Sequence, residues 1–326
     1  MTSVRTGLAL LVFALHAVLG HADEAYPNRP ITVVVPYPPG SIVDVRVRQI
    51  ADIAMRQSGW RLIIENRPGG IGTIGAGYAA RAKPDGYTIL SGSSSELNIV
   101  PAYGMKLDFE PQNAFAPITQ WVRGSMLLVV PSSLGANTMH ELVALARQRA
   151  EPLMFGSAGP GAITFFAAKL LEKKAGLTLV DVTYKSASQS LLDLIPGRIQ
   201  LQFDFVPTSL PHIKAGKLKA LMVTSPRRVP LLPDVPTAAE AGFHDLAIAT
   251  ISGFFAPRGT PDRIVRELHR VLAAAIASPR LEKLFAEQGA DAIGNTPEEF
   301  AAVMAADRKR WDEIMRLTGI RAEAAN

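Results

Sequence analysis

Residues 31–41, ITVVVPYPPGS, decide the fold of this chain. The apolar, β-branched run at its start is typical of a buried strand, and the loop of proline, glycine and serine after it ends that strand. A helical spacing of apolar residues then extends over residues 43–57. Because this order of strand, small-residue loop and helix recurs along the chain, we predict an α/β fold.

The same two patterns predict the remaining elements. The last predicted helix has a clear start, because Thr296 and Glu299 have the spacing of a capping box. Thr260 is expected to cap the helix whose first residue is Pro261. Further strands are predicted at 61–64, 88–90, 126–130, 153–155, 179–182, 201–205 and 218–223, and helices at 71–82, 139–148, 163–174, 188–195, 261–277 and 297–318.

The composition is that of a globular protein with a large core, since 48% of the residues are hydrophobic and 19% are charged. The absence of cysteine excludes disulfide scaffolds and thiolate metal sites. The net charge is +5 and the basic residues are scattered, so nothing indicates a nucleic-acid or anionic-membrane partner.

The first residues have the pattern of a secretory signal peptide. Arg5 precedes an apolar stretch at 8–19, and Gly20-His21-Ala22 places small residues at the cleavage positions. We therefore assign residues 1–22 to the signal peptide, which leaves about 300 residues and favours two domains. The stretch is short for a membrane span and no cysteine is available for lipidation, so we expect a freely diffusing periplasmic protein.

Small residues concentrate in four loops between a strand and a helix, namely YPPGS at 37–41, RPGGIG at 67–72, SGSSSE at 91–96 and GSAGPGA at 156–162. Backbone N–H groups converge in such loops, and the next helix adds the positive end of its dipole, so they suit carboxylates or phosphates. The alternative is that the glycines serve tight turns alone. Gly70, Gly72 and Gly75 also fit a dinucleotide fingerprint, which we reject because it follows the second predicted strand and not the first.

No motif in the sequence requires catalysis. No two histidines have metal-ligand spacing, so we expect neither a metal nor a cofactor. A nucleophile elbow and a Walker lysine loop are absent, although a dispersed Ser-His-Asp set remains open. We expect His140 and His269 on solvated helix faces, and Asp44 and Arg48 in an ion pair on a helix surface.

Seven ordered stretches resemble the Bug family of periplasmic solute receptors, the binding components of tripartite tricarboxylate transporters. They are YPNRPITVVVPYPPG at 26–40, ENRPGGIGTIGA at 65–76, KPDGYTIL at 83–90, YKSASQSLLDLIPG at 184–197, HIKAGKLKALMVTSPRR at 212–228, PDVPTAAEAGF at 233–243 and FFAPRGTP at 254–261. The resemblance implies a two-lobed Venus flytrap fold, in which each lobe is a mixed sheet flanked by helices. It implies residues 23–125 and 252–326 in the first lobe, residues 126–251 in the second, and a ligand cleft between them.

The resemblance also implies a ligand site on loops of both lobes, with no catalytic residue. The loop at 157–164 would hold a carboxylate with backbone N–H groups and hydroxyls, and Tyr37 would pack on the ligand body. Asp204 would either accept a hydrogen bond from the ligand or cap the next turn. The residues of this chain that match the family site are Tyr37, Gly40, Ser41, Ser93, Ser94, Ser157, Gly159, Gly161, Thr164 and Asp204.

The chain departs from the family pattern in ways that bear on the ligand. Ser41 replaces a usual glycine and Phe165 a common histidine, and Ala162, Ile163 and Phe166 make the second-lobe loop more apolar. We therefore expect a small organic carboxylate with an apolar or aromatic body. That inference fails if the two phenylalanines belong to the core of their helix.

The expected function is non-covalent. The receptor, which we expect to be a monomer, binds the carboxylate, closes about a hinge of two chain crossings and delivers the ligand to a two-component membrane permease. Two alternatives remain open at this point. One is a sensor that docks on a membrane kinase, and the other, from a different class, is a secreted serine hydrolase.

Overall fold

The computed structural model of the protein describes residues 26–185 and 187–322, so the predicted signal peptide lies outside the described residues. The strands are β1 Ile31–Val35, β2 Leu62–Asn66, β3 Thr88–Ser93, β4 Phe115–Pro131, β5 Leu153–Ser157, β6 Leu179–Thr183, β7 Leu201–Phe205, β8 Leu218–Val223, β9 Ala249–Pro257 and β10 Ala290–Ala292. The α-helices are α1 Ile42–Ser58, α2 Thr73–Ala80, α3 Val100–Tyr103, α4 Pro111–Ala114, α5 Met139–Gln148, α6 Ile163–Ala175, α7 Ala187–Leu194, α8 Val206–Lys214, α9 Asp262–Ile276, α10 Pro279–Ala286 and α11 Pro297–Thr318. Short helical turns lie at Gly70–Gly72, Ser95–Ile99, Ser132–Leu134 and His244–Leu246.

Every predicted strand and helix is confirmed, but several elements were not predicted. The missed elements are the first part of β4, all of β9 and β10, and the helices α3, α4, α8 and α10. The start of β4 contains Pro117 and α8 contains Pro207 and Pro211, and proline normally argues against a strand or helix interior. In these places the tertiary pairing overrides the local preference of the sequence.

The two predicted helix starts have different outcomes. The capping box is confirmed, because Glu299 N donates to Thr296 Oγ1 at 3.2 Å and Thr296 N donates to Glu299 Oε2 at 2.9 Å. The expected cap at Thr260 is wrong. Pro261 is itself the N-cap residue of α9, and the Thr260 hydroxyl donates to the carbonyl of Pro257 at 2.8 Å.

One long strand, β4, joins two mixed sheets. The strand order is β2-β1-β3-β9-β4-β7-β5-β6, with β10 and β8 also paired to β4. The last β4 residue that pairs with β9 is Ser125, opposite Ala249, and the next residue, Met126, pairs with Phe205 of β7. We call β1, β2, β3, β9, β10 and the first part of β4 the first lobe, and β5 to β8 with the rest of β4 the second lobe. The predicted two-lobed α/β fold is therefore confirmed.

The last helix contributes to the cores of both lobes. Phe300, near the start of α11, packs with Phe255 of the first lobe at a ring separation of 4.9 Å. Trp311, near its end, packs on Phe166 of α6 at 6.1 Å and belongs to the core of the second lobe. The last helix therefore contacts both lobes, and the lobe bounds 23–125 with 252–326 and 126–251 stay a prediction.

The expected surface features are only partly found. His140 is exposed, and Arg48 Nε lies 3.0 Å from Asp44 Oδ1 in the predicted ion pair. Asp44, however, is buried, so this is not a purely solvated pair. The expectation for His269 is wrong, because its ring is half-buried and its Nε2 has no hydrogen-bond partner among the described residues. In the part of the chain that the structure describes, no helix is long and apolar enough to span a bilayer.

Candidate functional site

A cavity of about 730 Å³ lies between the two lobes. The first lobe lines it with the loop that precedes α1, the turn Gly70–Gly72, residues 93–95 and the middle of β4. The second lobe lines it with residues 156–158, the start of α6 and the end of β7. Its volume is within the range of small-molecule binding sites, so we take this cavity as the candidate ligand site.

The charged residues that line the cavity are basic. Within the described residues the lining includes Arg46 and Lys185, and no aspartate or glutamate is part of it. Lys185 is exposed, whereas Arg46 is 6% exposed. A cleft of this composition favours an anionic ligand over a cation.

The start of α6 provides a second anion-binding feature. The N-cap residue, Ala162, has no side chain that can accept from the first N–H groups of the helix, in contrast to Ser41, which accepts from Asp44 N at the start of α1. The first N–H groups of a helix lack acceptors within the helix, and the helix dipole makes this end positive. Because Ile163 and Thr164 line the cavity, an anion bound there meets these groups directly.

Most of the predicted site residues line the cavity, but three do not. Gly159, Gly161 and Asp204 are absent from its lining. Asp204 is fully buried and accepts from Ser209 Oγ at 2.5 Å, and burial raises its pKa to about 6. The structure therefore connects Asp204 to α8, the segment that follows it. The lining residues that were predicted are Tyr37, Gly40, Ser41, Ser93, Ser94, Ser157 and Thr164.

Several of these hydroxyls already donate hydrogen bonds to carboxylates of the protein. The Ser157 hydroxyl donates to Asp181 Oδ1 at 2.6 Å and accepts from Gly159 N at 2.9 Å. The Ser94 hydroxyl donates to Asp307 Oδ2 at 2.7 Å. Since a hydroxyl has one hydrogen to donate, Ser157 and Ser94 hold the shape of their loops and have none left for an anion in this arrangement.

Tyr37 and Ser93 are engaged in the same way. Both hydroxyls donate to Oε2 of Glu96, at 2.9 Å and 2.6 Å. Glu96 is fully buried behind this wall of the cavity, and burial raises its pKa to about 7. Two predicted hydroxyls remain available. Ser41 accepts one bond as an N-cap and keeps its hydrogen, and Thr164 has no hydrogen-bond partner in the described part of the chain.

The two lobes touch beside the cavity. Gly161 has a φ of +99°, and a Cβ atom added to it would lie 2.5 Å from Cδ1 of Ile71 in the first lobe. Ile71 has a φ of 56°, a region that a β-branched residue rarely adopts. Gly161 is therefore required by close approach across the cleft and not by direct lining of the cavity.

Phe165 and Phe166 belong to the core and do not line the cavity. They are 6% and 0% exposed, and Phe166 packs on Tyr103 and Trp311 at ring separations of 5.4 Å and 6.1 Å. The inference of an apolar ligand body from these two residues therefore fails. The apolar lining comes instead from residues that the sequence did not indicate, among them Ile71, Trp121, Phe203, Phe205 and Ile251.

Arg46 also lines the cavity and is a candidate for ligand binding that the sequence did not predict. In the sequence it lies between Val45 and Val47 in a helix that also carries Asp44 and Arg48, and an arginine in such a helix normally faces solvent. The described residues contain no group of three or more histidine, aspartate or glutamate side chains that could hold a metal ion.

Comparison with known proteins supports the resemblance seen in the sequence. The model of the tripartite tricarboxylate transporter family receptor matches residues 46–320. A Pseudomonas sp. (strain P51) protein, the UPF0065 protein in the tcbD-tcbE intergenic region, is 34% identical over 293 residues, which cover 90% of this chain and 87% of that protein.

Solved structures show the same fold over nearly all of their length. The periplasmic binding protein BugD is 31% identical, with a TM-score of 0.82 over 91% of this chain and 100% of that one. The structure of R. palustris Rpa4515 with adipate is 32% identical, with a TM-score of 0.84 over 91% of this chain and 99% of that one. The chain therefore belongs to the family of tripartite tricarboxylate transporter receptors, the periplasmic solute-binding proteins of the Bug type.

Proposed function

We propose that this receptor binds a small organic carboxylate in the cavity between its lobes and delivers it to a membrane permease of the tripartite tricarboxylate type. The observation that carries the proposal is the basic lining of the cavity together with the uncapped start of α6. One carboxylate of the ligand would accept hydrogen bonds from the first N–H groups of α6 and from the hydroxyls of Thr164 and Ser41. These are charge-assisted bonds, which are stronger than bonds between neutral groups.

The rest of the ligand would be apolar. Ile71 lines the cavity from the first lobe and Ile163 from the second, and Trp121, Phe203 and Ile251 extend the apolar surface. Tyr37 would pack on the ligand body, since its hydroxyl is already committed to Glu96. A carboxylate with several hydroxyls or amides along its length would leave polar groups without partners there.

Binding would couple to closure about β4. The pairing of β4 changes from the first sheet to the second between Ser125 and Met126, and we propose the lobe boundary at this point. The second crossing would be the segment that enters β9 at Ala249. The contact between Ile71 and Gly161 would belong to the closed form, in which both lobes contact one ligand.

The remaining parts of the proposal rest on family membership. The relative Rpa4515 has a solved structure with adipate, and adipate is a carboxylate. This supports a carboxylate as the class of ligand. We propose three further properties because receptors of such transporters ordinarily have them. The protein would lose residues 1–22 and reside in the periplasm. It would act as a monomer and deliver its ligand to a permease.

A thermal-shift series on residues 23–326 tests the proposal. Carboxylates with apolar bodies are compared with their neutral amides, since a ligand that binds only the folded state raises the melting temperature. We expect a rise with the acids and none with the amides. Equal responses to acid and amide, or none with any acid, would contradict an anion site.

A further inference from the structure

The structure assigns to Arg46 a second anion subsite within the cavity. We infer that the ligand carries two carboxylates, one held at the start of α6 in the second lobe and the other held by Arg46 in the first lobe. This inference rests on the proposed function and names the class of ligand: an α,ω-dicarboxylate with an apolar spacer.

Arg46 is a buried arginine without an acidic partner. Its side chain lines the cavity, and it has no salt bridge to any described carboxylate. Its Nε donates to Gln288 Oε1 at 2.8 Å, which uses one of the five N–H donors of the guanidinium group. The four hydrogens on its two terminal nitrogens have no partner among the described residues. Buried charges are normally paired, and these hydrogens are available to an anion in the cavity.

The surroundings hold the guanidinium group in place for such an anion. Its Cζ lies 5.2 Å from the ring centre of Phe285, within the range of a cation–π contact. The hydrogen bond to Gln288 Oε1 holds the Nε side of the guanidinium group. Burial lowers the pKa of Arg46 to about 10, so the side chain is still charged at neutral pH. A guanidinium group that is held in place, charged and has four of its five N–H donors unpaired matches the two oxygens of a carboxylate.

A second observation at the same end of the cavity points to a ligand. Trp121 lines the cavity, is 1% exposed, and packs edge-on against Phe285 at 6.3 Å, so it shares that ring with Arg46. Its indole nitrogen, Nε1, is buried and has no hydrogen-bond acceptor in the described residues. Buried indole N–H groups usually find an acceptor. This end of the cavity therefore offers N–H donors without partners from two side chains, Arg46 and Trp121.

The subsite lies where the lobes meet. Gly289 follows Gln288, and a Cβ atom added to it would lie 2.8 Å from Val206 of the second lobe. An anion on Arg46 would therefore sit in the first lobe next to an inter-lobe contact, while the start of α6 supplies the site in the second lobe. A dianion that spans the cavity would contact both lobes, whereas a monoanion could satisfy only one.

Calorimetric titration with matched acids tests the inference. The probes are α,ω-dicarboxylates of four to nine carbons and the monocarboxylates of the same carbon number. The variants are Arg46→Met, Arg46→Lys and the control Arg56→Gln, which changes an exposed arginine of the same helix that pairs with Asp52. For the wild-type protein we expect one diacid length to bind about 10- to 100-fold more tightly than its monoacid, since bonds to charged groups contribute that much.

The variants separate a ligand contact from a structural role. Arg46→Met should remove the preference for the diacid, leave the affinity for the monoacid within about twofold, and keep the melting temperature of the free protein. Arg46→Lys should retain part of the preference, and Arg56→Gln should retain all of it. Equal binding of diacid and monoacid by the wild type, or an unchanged preference in Arg46→Met, would overturn the subsite but not the proposed function. Loss of binding to every acid in the wild-type protein would overturn both.

Discussion

The hydroxyl of Tyr37 lies 2.9 Å from Oε2 of Glu96, so a cavity-lining side chain is hydrogen-bonded to a fully buried carboxyl group. Ser93 contributes two more bonds to the same carboxyl group, from its backbone N at 2.6 Å and from its hydroxyl at 2.6 Å. Burial outweighs these bonds and raises the pKa of Glu96 from 4.5 to about 7. This arrangement couples the wall of the ligand site to pH.

We predict that Glu96→Gln flattens the pH dependence of stability between about pH 4.5 and 7. In this window the folded protein binds a proton at Glu96 that the unfolded chain has released, so stability falls as the pH rises through the raised pKa. Glutamine cannot titrate, so its slope should be smaller. The measurement is the free energy of unfolding in urea at several pH values. The exposed Glu282→Gln is the control, and a wild-type slope in Glu96→Gln would show that Glu96 does not titrate in this window.

Gly161→Ala should weaken ligand binding by at least about tenfold. The new methyl group would meet Ile71 Cδ1 at 2.5 Å and keep the lobes apart. Gly176→Ala is the matched control, because its φ is also positive but its Cβ would meet no atom within 4 Å. Both variants carry a conformational cost of about 1–2 kcal/mol, so only the difference between them reports the contact. If Ile71→Ala does not restore affinity to Gly161→Ala, the clash is not the cause.

Thr164→Val should lower the affinity for a carboxylate by about 10-fold or more, while the melting temperature of the free protein changes little. The substitution keeps the shape of the side chain and removes a hydroxyl that can donate to the anion. Thr178→Val, at an exposed position just after α6, is the control. Isothermal titration calorimetry measures the difference. Unchanged affinity in Thr164→Val would remove this hydroxyl from the site.

Trp311→Ala should destabilise the protein by about 3–5 kcal/mol, the usual cost of removing a large buried aromatic side chain. Trp311 is 1% exposed and packs on Phe166, and its Nε1 donates to Asp307 at 3.1 Å. Lys309→Ala, exposed on the same helix, should be nearly neutral. Urea denaturation followed by circular dichroism gives both values. A cost near that of Lys309→Ala would mean that the end of α11 does not stabilise the second lobe.

The sequence predicted those elements whose local pattern and tertiary environment agree. Ile31–Val35 is a β-branched run and Leu201–Phe205 alternates apolar and polar residues, and both become buried strands. The first half of β4 was missed because Pro117 breaks the pattern and polar Thr119 and Gln120 interrupt it. Thr119 and Gln120 are buried in a strand because β9 returns from a distant part of the chain to pair with them.

The site was predicted at the level of loops but not of individual contacts. The glycine-rich loops identify where backbone N–H groups converge, and all four reach the cavity, three from the first lobe and one from the second. Which hydroxyls are free depends on partners such as Asp181 and Asp307, which are remote in sequence. Arg46 could not be identified either, since its burial depends on Gln288 and Phe285, more than two hundred residues away.

The helix α11 also constrains the order in which the chain can fold. Trp311 and Met315 close a hydrophobic core whose other members, such as Phe166 and Phe203, come much earlier in the sequence. A chain that emerges amino end first exposes that unfinished core until its last helix is delivered, so neither lobe reaches its final packing during synthesis. The cores of both lobes are therefore complete only once the residues of α11 have been added.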